Sequence, residues 1–143
     1  MEHPYNRDLY RATEKALWEH PTTKARLKTR EEYLEAMATC RDQDFMDMGR
    51  SNVRPKATAV QERVLDKKED DPKYKLLSVK VQAIERAYDD LPQILREFVR
   101  LFFWERLPMV EVMGEMHISR RTFMRQKART IRRVSPFIRD TMG

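Results

Sequence analysis

From Arg120 to Arg133 the chain carries seven basic residues, Arg120, Arg121, Arg125, Lys127, Arg129, Arg132 and Arg133, and no acidic one. That density of like charge cannot be folded into a core, because each unpaired cation loses more hydration than burial returns. The stretch has to be a surface rod with a single inward side. At about 100° per residue, Phe123, Thr130, Val134 and the stem of Lys127 fall on one side of a helix, and Arg121, Arg125, Ala128 and Arg132 fall on the other. Directly before the rod stands Glu111-Val112-Met113-Gly114-Glu115-Met116-His117-Ile118-Ser119. A short amphipathic helix, a turn and a cationic helix in that order predict a helix-turn-helix over 108–134.

Each part of the motif has its residue. Pro108 opens the first helix, where a missing N–H costs nothing. Val112 and Met113 face inwards while Glu111 and Glu115 stay wet, and Met116 closes the helix. Ile118 plugs the angle between the helices, Ser119 caps the second one through its hydroxyl, and Phe123 is its inward anchor. Such motifs present the start of the second helix to base edges in the major groove. Arg121 and Arg125 are therefore the candidates for guanine O6 and N7, and Met124 for a thymine methyl. Arg120, Thr122, Arg129, Arg132 and Arg133 are the candidates for phosphates. Ser119 at the helix start and small Ala128, which lets the rod sit close, complete the expected contact set.

Charge supports a polyanionic partner, double-stranded DNA. Residues 1–70 hold 14 basic and 14 acidic side chains, whereas residues 71–143 hold 15 and 9, so the whole net charge of +6 lies in the second half. A local surplus of this kind is the footprint of phosphate neutralisation with counterion release. The longest apolar run is Leu101 to Trp104, too short for a membrane span or a secretion signal, and the lone Cys40 allows no internal disulfide. A reducing cytoplasm is the expected setting, with no membrane partner.

Hydrophobic spacing is helical almost throughout, so the expected fold is all-α. A short helix over about 6–18 carries Leu9, Ala12, Ala16 and Leu17, His20-Pro21 stops it, and Thr22 or Thr23 caps a longer helix through Leu27, Leu34, Met37 and Cys40 towards Met46. Gly49 to Pro55 reads as a linker. A helix over about 58–67 follows, broken at Glu69-Asp70-Asp71-Pro72, whose acids offer acceptors to the next helix. In that helix Leu77, Val81, Ile84 and Tyr88 form one stripe up to Asp89-Asp90. After Leu91-Pro92, the apolar stretch from Ile94 to Trp104 predicts the core helix of a C-terminal domain. The expected organisation is an N-terminal helical arm with linker, 1–55, for oligomerisation or partner binding, and a DNA-binding domain over 56–143. Leu9, Trp18, Leu27, Leu34 and Met37 give the arm enough apolar surface to suggest a homodimer.

From Leu91-Pro92 through Arg129 the chain resembles region 4 of sigma factors. As a whole it resembles the RinA/ArpU family of phage late-gene transcriptional regulators. The residues that carry the likeness are His20-Pro21-Thr22-Thr23-Lys24 after a short helix, Gly49-Arg50-Ser51, Pro72-Lys73-Tyr74 leading to Ala83-Ile84-Glu85, Leu91-Pro92, and Ile118-Ser119-Arg120-Arg121-Thr122-Phe123. The resemblance implies a sequence-specific DNA-binding activator of late genes for packaging and virion assembly, working with host RNA polymerase or its sigma factor. Gly114 inside the first helix of the motif departs from a good helix former by about 1 kcal/mol, either to allow close packing or to leave that helix looser.

Other functions fare worse. His3, His20 and His117 are scattered, no nucleophile stands with a base, and no phosphate loop or zinc spacing occurs, so neither an enzyme nor a cofactor or metal site is expected. Asp42, Asp44 and Asp47 suggest a calcium loop, but the sixth position, which needs glycine, is Asp47. Two alternatives remain: a small terminase-like DNA-packaging protein, and an adaptor that binds sigma factor or polymerase without touching DNA.

Overall fold

The computed structural model describes residues 6–47 and 57–142, with side chains over 6–39 and 61–141. The Gly49–Pro55 linker reading and the side chains of Asp42, Asp44 and Asp47 lie outside the described residues. Every regular element among the described residues is helical, so the chain is all-α. The order is α1 (Arg7–Asp47), α2 (Ala57–Asp70), α3 (Pro72–Asp90), α4 (Gln93–Phe98) running into a π-helical turn (Val99–Trp104), α5 (Met109–Met116) and α6 (Arg120–Met142).

One expected break is absent. His20-Pro21 does not end the first helix: α1 continues for 41 residues with Pro21 inside it. Proline forfeits one i→i−4 bond, but side chains in the turn before it are anchored in the core. Leu17 and His20 are buried, and His20 stacks on Trp104 with ring centroids 5.2 Å apart.

The chain divides into two compact units, Met1–Thr23 with Val79–Gly143, and Lys24–Ser78. The start of α1 is therefore not a free arm: Leu9 and Leu17 belong to the same core as Phe98, Phe123 and Ile131, and Trp18 packs against it. The boundary expected near residue 55 falls among residues outside those described, and the compact units divide elsewhere.

The second unit is held by polar chemistry as well as by buried Leu34, Ala38 and Leu77. Arg30 grips Asp71 through two bonds, Nε to Oδ2 at 2.6 Å and an Nη2 donor to Oδ1 at 3.0 Å. Asp71 Oδ2 also accepts the Tyr74 N–H at 3.2 Å, capping the start of α3 as its position before Pro72 predicts. The hydrogen bonds from Arg30 hold the Asp71 carboxyl below the usual carboxylate range, against the opposing effect of burial.

The first unit is built round aromatics. Phe98, Phe103 and Phe123 are fully buried. Phe102 meets Phe123 edge-on at 5.0 Å and 87°, and Trp18 meets Phe102 and Phe103 at 4.9 and 5.0 Å. The single core helix expected over 94–104 widens at Val99 into a π turn. Bonding of Glu105 N–H to Arg100 O at 2.9 Å enlarges that turn, which spaces consecutive side chains more closely around the axis and keeps the bulky run 101–104 near the core. Arg106 then takes a left-handed conformation, φ 57°, and donates from a guanidinium nitrogen to the Trp18 carbonyl at 3.3 Å. That reversal delivers the chain to α5.

Candidate nucleic-acid interface

Helices α5 and α6 follow one another, joined by the short segment 117–119. Pro108 sits just ahead of α5 with extended backbone, and Val112 is fully buried. His117 ends α5 in the left-handed region, φ 55°, with its N–H returned to the Met113 carbonyl. This left-handed step is the turn, and histidine is among the residues that tolerate it better than β-branched ones. Ile118 is half-buried against the core, and Ser119 Oγ accepts the Thr122 N–H at 3.2 Å, capping α6. The Ser119 and Thr122 hydroxyls also bond each other at 3.0 Å.

Helix α6 runs on to Met142, past Pro136, further than the end at residue 134 expected for the motif. Its inner side is Phe123, Thr130, Ile131, Val134 and Ile138, all buried. Thr130 satisfies its hydroxyl on the Gln126 carbonyl at 2.8 Å, which makes a polar residue tolerable there. Lys127 points towards α1: its Nζ lies 3.2 Å from Glu14 and 5.8 Å from the centre of the Phe102 ring. One of the seven cations is therefore an internal clamp.

The other six face solvent. Arg120, Arg121, Arg125, Arg129, Arg132 and Arg133 are all exposed. Among the described residues none of them is in an ion pair or a hydrogen bond with a side chain of this protein. Arg120, Arg121, Met124, Arg125 and Ala128 line one shallow depression at the start of the helix. Met124 is 47% exposed within it, whereas Ala128 is half-buried. Ser119 is exposed and Thr122 half-buried, so the expected contact set lies together at the start and along the outer side of one helix.

The sequence reading gave no role to Gln126. It lies between Arg125 and Lys127 and is 93% covered, turned to the core. Its distance of about 60° from Phe123 around the wheel was the available signal. Gly114 is exposed, and a Cβ built on it would meet nothing within 4 Å, so close packing does not explain the glycine.

The chain matches no protein-family model, no curated protein and no solved structure.

Proposed function

We propose that this protein is a sequence-specific DNA-binding transcriptional activator in which α6 is the reading helix. The observation that carries the reading is the outer side of α6, where six arginines stand without carboxylate partners among the described residues while the inner side is locked into an aromatic core. Keeping six like charges on one rod disfavours folding through mutual repulsion, and a polyanion removes that repulsion by binding. A rigid helix held by Phe123, Ile131 and Val134 also supplies the pre-organisation that base reading needs. The capped start of α6 brings Arg121 and Arg125 to base edges, with Arg120, Arg129, Arg132 and Arg133 on phosphates. The resemblance to RinA/ArpU regulators supplies the setting: late promoters for packaging and virion assembly, read together with host RNA polymerase or its sigma factor.

Footprinting the purified full chain across a late promoter tests this. A protected window that disappears in Arg121→Glu/Arg125→Glu, with helix content unchanged, is the expected result. Promoter activation that survives this double replacement would remove DNA reading from the mechanism.

A further inference from the structure

The surface that α6 offers can be sorted by what it gives a base edge. Arg120, Arg121 and Arg125 are donors only, and Met124 and Ala128 are apolar. Arg129, Arg132 and Arg133 add further donors. Among the described residues that line the depression, none carries a carboxylate or an amide. The nearby hydroxyls of Ser119 and Thr122 are engaged with each other and with the helix cap. Gln126, the side-chain amide in α6 and the type that would pair with adenine N6 and N7, is buried at 7% exposure and faces the core.

In the major groove guanine shows two acceptors, thymine an acceptor and a methyl, adenine an acceptor and an amino donor, and cytosine an amino donor. A surface of donors and small apolar groups answers guanine and thymine. It offers no carboxylate or amide oxygen to accept the amino groups of adenine and cytosine. Arg121 and Arg125 are one turn apart, as are Met124 and Ala128, so a guanidinium row and an apolar row run side by side along the rod.

We propose that α6 reads the keto edge of the groove: the centre of its binding site is a short run of guanine and thymine on one strand. Arg121 and Arg125 take guanine O6 and N7, and one thymine methyl seats between Met124 and Ala128. This rests on the duplex-reading function proposed above and specifies its target chemistry.

Selection of the full chain against random-sequence duplexes at about 150 mM salt, the physiological ionic strength, tests it. The expected winners carry a G/T run on one strand. In the winning duplex, 7-deazaguanine for guanine weakens binding roughly tenfold, the loss of one member of a bidentate pair. Deoxyuridine for thymine, which removes only the methyl, weakens it about fourfold, and Met124→Ala abolishes that difference. Removing the N6 amino group of the paired adenine leaves affinity within about twofold, since no side chain accepts from it. Winners whose affinity depends on adenine or cytosine amino groups overturn the proposal, as does a methyl effect that persists unchanged in Met124→Ala. If selection enriches no sequence, duplex reading itself fails and this inference falls with it; circular dichroism of each variant separates these results from misfolding.

Discussion

Arg125 and Arg132 share the outer side of α6 and differ only in distance from its start, yet they should behave differently. Arg125→Ala should relax discrimination at one base pair by about 1–3 kcal/mol, while Arg132→Ala should weaken cognate and random duplexes alike and flatten the salt dependence. Competition binding against both duplexes separates them, and equal losses for Arg125 would show that it is a phosphate contact. Phe123 lies on the opposite side, 2% exposed between Phe98 and Phe102. Phe123→Ala should cost about 3–5 kcal/mol in urea unfolding, because it removes a buried ring from an aromatic cluster that cannot collapse around the gap. Asp71 titrates in the other compact unit. Its folded pKa is lowered, so the stabilisation it brings is present above the ordinary carboxylate range and is lost as pH falls through the folded value. Urea midpoints followed from neutral to acid pH should therefore fall less steeply in Asp71→Asn than in the parent, and parallel curves would show that the Arg30 pair contributes nothing.

Helix boundaries show where local signals suffice. Asp71 and Pro72 start α3, and Ser119 caps α6, because a side-chain acceptor for a free N–H is a local matter legible in a few residues. Pro21 misleads for the opposite reason. A single helix-breaker costs about 3 kcal/mol in isolation, but burial of Leu17 and His20 in the turn just before it is a sum over distant partners that no local window contains. The π turn at Val99–Trp104 is of the same kind, since the aromatic run announces a core helix but not the extra width needed to seat Phe98, Phe103 and Trp18 together. Gly114 offers a test at this scale. With open space around it in α5, Gly114→Ala should raise stability by about 1 kcal/mol through helix propensity alone. A lower melting temperature would mean that the position needs glycine for a reason other than room.

For the molecule as a whole, the six exposed arginines between Arg120 and Arg133 bound the strength of its electrostatics. If all six reach phosphates or displace counterions, log K against log salt should have a slope near about −5, from roughly −0.9 per contact, and a slope beyond −7 would require cations outside α6. The amino-acid sequence alone specified an all-helical chain, a short helix and turn ahead of the last helix, and the outward arginines, because period, capping and charge density are properties of neighbouring residues. It did not specify that the start of α1 would join the core of the C-terminal unit, that Lys127 would be drawn to Glu14, or that Gln126 would turn inward. Those outcomes depend on contacts more than a hundred residues apart in the chain or on the edge of the buried arc. There, which side chains meet water is settled by the packing of the assembled helices rather than by the pattern along any one of them.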